Sequence, residues 1–112
     1  MHFEHYEAVP FAIVEEQPVF PGGESALLAF IRKNTRYPPE ALEAGVSGKV
    51  YIGFVIDKEG KVTNVKLLRG VSTALDNEAI RVVKSLPDWL PGRQSGKPVR
   101  VSFQVPVSFI LQ

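Results

Sequence analysis

Val99-Arg100-Val101-Ser102-Phe103-Gln104-Val105-Pro106-Val107-Ser108-Phe109-Ile110-Leu111 alternates with a period of two. Every odd position is apolar, and Arg100, Ser102, Gln104, Pro106 and Ser108 stand between them. Successive side chains of an extended strand point to opposite faces, so this pattern buries one face and wets the other. A helix would scatter the same residues around its axis at about 3.6 residues per turn. Pro106 has no N–H to give a ladder, and proline is tolerated in sheets at edges, strand starts or bulges. The stretch therefore reads as one long edge strand, Val99 to Leu111, with a side open to pairing from another chain.

Pro106 also sets a parity. A strand residue aims its N–H and C=O to about the same side in the sheet plane, and its neighbours aim the opposite way. If the missing donor of Pro106 faces away from the paired neighbour, Arg100, Ser102 and Gln104 aim at the open edge. Val101, Phe103 and Val105 then pair inward. A bulge between Gln104 and Pro106 would break this rule.

The remainder of the chain supplies the sheet's partners. Lys49 to Ile56 alternates with Val50, Ile52, Phe54 and Ile56 on one face. After the Asp57-Lys58-Glu59-Gly60 connection, Val62, Val65, Leu67 and Leu68 continue in a second strand, which predicts a β-hairpin. The Val62-to-Val65 spacing breaks the period by one and marks a bulge. Leu27, Leu28, Phe30 and Ile31 form a helical stripe after the Gly22-Gly23 turn, with Arg32 and Lys33 at the dipole's negative end. Tyr37-Pro38-Pro39 forces an extended step before a short helix that Gly45 ends. A further helix follows Ser72-Thr73, with Leu75, Ala79, Val82 or Val83, and Leu86 at helical spacing until Pro87. Trp89 lies in a loop before the last strand and reads as a core lid.

The expected fold is α+β: a small three-stranded antiparallel sheet with a crossover helix packed on one face, plus additional N-terminal helices. The crossover is long enough to skip a position, which predicts the order hairpin second strand, hairpin first strand, final strand. Residues 1–16 read as an N-terminal tail and residues 17–112 as one domain, consistent with 112 residues in all.

Composition limits function. A formal net charge of +1 gives no field that favours nucleic acid or an anionic membrane. Local clusters at Arg32, Lys33, Arg36 and at Arg93, Lys97, Arg100 are accounted for by solvated surface. There is no cysteine, and the only histidines are His2 and His5, too few for a metal site at ligand spacing. No run of about 18 apolar residues is present. The Gly22-Gly23 pair lacks the rest of a phosphate-loop pattern. With no histidine or cysteine in the folded region, no catalytic constellation is indicated, and no cofactor or small-molecule substrate is expected. An RNA-binding sheet is disfavoured, because the phenylalanines of the last strand fall on its apolar face.

Tyr37-Pro38, Ala41 to Ala44, Gly48-Lys49-Val50 leading to Phe54, Gly60-Lys61-Val62, Asp76 with Glu78-Ala79, Trp89 before Pro91-Gly92, and the final strand form a combination. Together they resemble the C-terminal domain of TonB energy transducers. The Pro18-to-Gly23 stretch with its helix is similar to the version common among Bacteroidetes-type transducers. The resemblance implies a periplasmic domain of a protein anchored in the inner membrane, where a proton-channel complex drives it. It implies that the domain binds the TonB box of outer-membrane transporters by strand addition and passes on force from the proton-motive force. Iron chelates, vitamins and glycans are the nutrients such transport serves. By the same resemblance Tyr37 and Pro38 lie at the transporter contact, and Val99, Arg100, Val101, Ser102, Phe103, Gln104 and Val105 receive the peptide. Tyr37 is expected at the surface, the alternative being a ring packed on the sheet with only its hydroxyl wet. The membrane helix and Pro-rich linker of a full transducer are missing, so the resemblance implies a piece of a longer protein. The competing reading is a structural domain that forms a homodimer through the same edge strand.

Overall fold

The order of elements follows from where apolar side chains can be buried. The structure is a computed structural model and describes residues 10–111. It contains helices α1 (Glu24–Asn34), α2 (Pro39–Glu43) and α3 (Thr73–Lys84). Strands are β1 (Gly48–Ile56), β2 (Val62–Arg69), β3 (Gly92–Gln94), β4 (Lys97–Val99) and β5 (Val101–Phe109). The main sheet has the order β2-β1-β5, with both pairings antiparallel. This is the expected topology. His2 and His5 lie outside the described residues.

Strand β1 is central, and its inward residues Val50, Ile52, Phe54 and Ile56 are buried. Val105, Val107 and Phe109 of β5 join them from one side, and Leu75, Ala79, Val82 and Val83 of α3 cover the face. Burying each such side chain stabilises by about 1.5–3 kcal/mol, which is why helix α3 crosses there. Its start is fixed by Ser72, whose hydroxyl accepts from the Leu75 amide at 3.3 Å. Helix α2 ends as its sequence demands. Gly45 takes φ 70°, its amide donates to Leu42 at 3.2 Å, and that of Val46 donates to Ala41 at 2.9 Å, a Schellman closure.

The last strand differs from the single run read in the sequence. The chain breaks at Arg100, and Val99 belongs instead to β4, which pairs with β3 as a separate small hairpin. The cause is the Ser95-Gly96 turn, where φ is 53° and 76°, the positive angles that tight hairpins require. The expected bulge in β2 is present at Asn64, with φ 51° and a register shift opposite Gly53–Val55.

Residues 10–16, read as a tail, are attached to this framework. Val14 is buried, Glu16 exchanges backbone bonds of 3.0 and 2.9 Å with Arg93, and Val19 does the same with Leu90. Beyond them Phe20 packs edge-on against Trp89 at 5.3 Å. Trp89 also meets Phe54 and Phe103, so it is a core residue as expected. Its loop is held by one close approach: the Trp89 amide donates to the Gly60 carbonyl at 2.7 Å. A Cβ on Gly60 would lie 1.7 Å from the Trp89 carbonyl oxygen, at φ 88°. Gly60→Ala is therefore expected to cost about 3 kcal/mol in a urea melt. Gly96→Ala, at φ 76° in open space, should cost about 1 kcal/mol.

Candidate strand-binding edge

The pairing of β5 with β1 is unbroken from Gly48↔Phe109 to Ile56↔Val101. With no bulge, the side on which backbone groups point alternates strictly along β5. The direction is fixed at one end. The Arg100 carbonyl accepts from the Phe11 amide at 2.8 Å, and the Ser102 amide donates to the Phe11 carbonyl at 2.7 Å. Even residues therefore face outward, as the parity of Pro106 predicts, and the outward groups of Gln104, Pro106 and Ser108 follow. Among the described residues none of these three takes an outward backbone bond. The Ser102 carbonyl shares their side.

This edge is not open over the whole stretch expected. Val99 is paired with Gly92 in the small hairpin, and the Arg100 carbonyl and the Ser102 amide are engaged by Phe11. Val101 and Val105 are buried, and Phe103 is half-buried against Phe54 and Trp89. These three offer no side chain to a partner. Ser102 and Gln104 are exposed. What remains accessible lies from the Ser102 carbonyl to Ser108, so it extends past Pro106 and does not stop before it.

Tyr37 corrects a second expectation. Its ring stands edge-on to Phe109 at 5.6 Å, its hydroxyl donates to the Val46 carbonyl, and the residue is half-buried against the core. The rigid Tyr-Pro step does not hold the ring out in solvent. It folds the ring onto Phe109 at the end of β5. Pro38 is half-buried too and serves as the residue before α2, with φ −60° and ψ 132°.

Tyr37 consequently stands near Phe109, at the far end of a strand about 26 Å long from Val101. A groove of about 730 Å³ lies away from Tyr37, on the outer sheet face beside Ala12, Gly53, Leu68, Ser102 and Gln104. The groove at Tyr37 is about 550 Å³ and runs between α1 and the β5 edge, lined by Leu28, Arg32, Tyr37, Pro106, Ser108 and Ile110. Leu28 and Ile110 are exposed. Sequence reading missed Leu28, Arg32, Ser108 and Ile110 as edge residues. The i, i+4 spacing of Leu28 and Arg32 and the alternation continuing past Pro106 were the available signals. Phe11 was missed as well, since pairing across so many residues leaves no local signature.

One polar knot holds the Tyr-Pro segment. Glu78 of α3 accepts from Arg81 at 2.8 and 2.7 Å and from the Arg36 amide at 2.7 Å, while Arg81 also reaches the Asn34 carbonyl at 2.8 Å. The bonded Arg81 guanidinium holds the Glu78 carboxyl below its ordinary value; burial partly opposes this, and the Arg36 amide adds to it.

The described residues contain no cluster of His, Cys, Asp and Glu able to hold a metal. None of their helices is long and apolar enough to cross a membrane. The geometry defines a small α+β domain whose last strand keeps a regular, partly free edge. Comparison with known proteins gives the family. Residues 33–111 match the family described as Gram-negative bacterial TonB protein C-terminal, and the chain belongs to it. The family is one of non-catalytic energy transducers. Two TonB proteins of Helicobacter pylori strains are each 29% identical over 107 residues, covering 90% of this chain and 36% of theirs. The chain thus spans about a third of the length of these curated relatives. A solution structure of the H. pylori TonB C-terminal domain (residues 179–285) is similar, with TM-score 0.60, 25% identity, and 82% of this chain and 87% of that one covered. A shorter form (residues 194–285) has TM-score 0.58 at 24% identity, covering 79% and 92%, which shows the shared fold. In TonB proteins this domain is periplasmic, and the family interacts with TonB-dependent outer-membrane receptors.

Two measurements check the local account. Tyr37→Ala should cost about 2–3 kcal/mol in urea, and Tyr37→Phe about 1 kcal/mol because the Val46 carbonyl loses its donor. Glu78→Gln should cost about 1 kcal/mol at neutral pH. A depressed carboxyl contributes stability above its unfolded pKa of about 4.3 and loses it as pH falls through the folded value. The gap between wild type and variant should therefore close in melts taken below about pH 4.

Proposed function

We propose that this chain is the periplasmic domain of a TonB-type energy transducer and binds the TonB box of an outer-membrane transporter by strand addition along β5. In this reading the missing part of the protein anchors it in the inner membrane and couples it to a proton-channel complex. The domain then passes on force for uptake of nutrients such as iron chelates, vitamins or glycans. The observation that carries the proposal is the regular β5 edge, with outward groups at Gln104, Pro106 and Ser108 that no described residue engages.

A peptide laid there forms a ladder and leaves one of its own carbonyls unmatched opposite Pro106. Its side chains on the helix side meet Leu28, Arg32 and Tyr37 in the groove beside α1. Pro38 contributes by fixing the step that sets Tyr37 there. At about 1 kcal/mol net for each backbone bond, with modest side-chain contact, affinity falls in roughly the micromolar range. Such a grip can be released, which force transmission needs.

Gln104→Pro tests the site. It deletes an outward donor of an exposed residue and spares the inward ladder. Isothermal titration with a synthetic TonB-box peptide should give at least about a tenfold weaker Kd for the folded variant. Equal binding by wild type and variant would remove this edge as the site. Sedimentation with the same peptide separates the rival reading: a stable dimer that the peptide neither binds nor dissociates favours a self-pairing structural domain.

A further inference from the structure

The remaining question on the β5 edge is Phe11. This residue lies parallel to β5 as an isolated bridge to Val101 and holds the edge through its own N–H and C=O. Its surroundings divide sharply. On the C-terminal side, Val14 is buried, the Glu15 amide donates to the Gln94 side chain at 3.0 Å, and the Ser95 amide donates to the Glu15 carboxylate at 2.6 Å. Glu16 is paired with Arg93. On the strand itself, Phe11 is 37% exposed and Ile13 85% exposed, and Ala12 is exposed as well. Residues 14–16 are thus anchored in the small hairpin, whereas residues 10–13 rest on β5 with little burial.

We infer that the outward groups of Arg100 and Ser102 belong to the same strand-binding site as Gln104 to Ser108, and that residues 10–13 are their resident occupant, given up when a partner strand extends along β5. This rests on the strand-addition reading of the edge. The physical case is an exchange of like for like. An incoming backbone replaces the two bonds that Phe11 makes, so the Arg100 carbonyl and the Ser102 amide stay paired when the segment is released. The anchor at Glu15 and Glu16 keeps the released segment beside its site, ready to rebind when the partner leaves. The resident segment also shields the start of the edge from other copies of the chain.

Amide exchange on the full chain, followed by NMR with and without a synthetic TonB-box peptide, tests the inference. In the free protein the Phe11 and Ser102 amides should exchange faster than those of the β1–β5 ladder, through local opening of residues 10–13 and not through global unfolding. In the complex the Ser102 amide should become more protected and the Phe11 amide less so. Phe11→Pro removes the donor to Arg100, and the peptide should bind this variant about three- to tenfold more tightly than wild type. Should Phe11 stay protected in a complex that protects Gln104 and Ser108, the strand-addition reading survives and the exchange inference falls. Exchange of Ser102 only by global unfolding also overturns it. If the peptide protects no β5 amide, the strand-addition reading itself fails and takes this inference with it.

Discussion

The unbroken antiparallel ladder between β1 and β5 is the constraint on which the rest depends. Because its register runs from Gly48↔Phe109 to Ile56↔Val101 without a shift, one alternation governs both the core and the edge. Odd residues of β5 send side chains to the face that α3 covers and backbone groups to β1. Even residues send side chains to the other face and backbone groups outward. A single inserted residue in β5 would put Phe109 in solvent and reverse which groups a partner could meet. Packing and the direction of the free edge are therefore two consequences of one register.

A second dependence joins the N-terminal segment to this ladder. Trp89 packs against Phe54 of β1 and Phe103 of β5 and also against Phe20, which follows the Val19–Leu90 bridge. The aromatic cluster thus fixes where the chain enters the domain. From Phe20 back to Glu16 the path runs beside residues 90–93, and it delivers Phe11 to the beginning of β5. The contact at Gly60 secures the other side of Trp89, so a turn in the first hairpin helps decide how the last strand is covered.

Much of this was legible in the sequence, and the parts that were not share a cause. Alternation in 99–111, helical spacing in 75–86 and the Asp57-to-Gly60 connection specify the main sheet and its helix, because each is a local consequence of burying one face. The parity of the edge followed from one proline. By contrast, the break at Arg100 depends on Ser95 and Gly96 turning Val99 toward Gly92, and alternation alone cannot distinguish that from one strand. The placement of Tyr37 depends on Phe109 being nearby, and the cover on Arg100 and Ser102 depends on Phe11. The last two are contacts across most of the chain, and none of the three registers in local periodicity. The candidate site was thus readable in its direction and not in its extent.

The sheet has another edge, and the contrast with it explains why a partner strand would choose β5. Strand β2 meets β1 with register shifts at Tyr51–Ile52 and at Gly53–Val55, and Asn64 adopts φ 51° within it. Each irregularity twists the strand and spoils the even spacing of its outward groups. Lys66 and Arg69 add charge along the same strand, another feature that discourages edge pairing. Strand β5 has neither bulge nor kink, and its one defect as a template is the donor missing at Pro106. A regular edge with a single gap still admits a short ladder, whereas a bulged edge admits almost none. The fold thereby protects one side of the sheet by distortion and leaves the other regular, shielded at its start by the segment that Phe11 ties to β5.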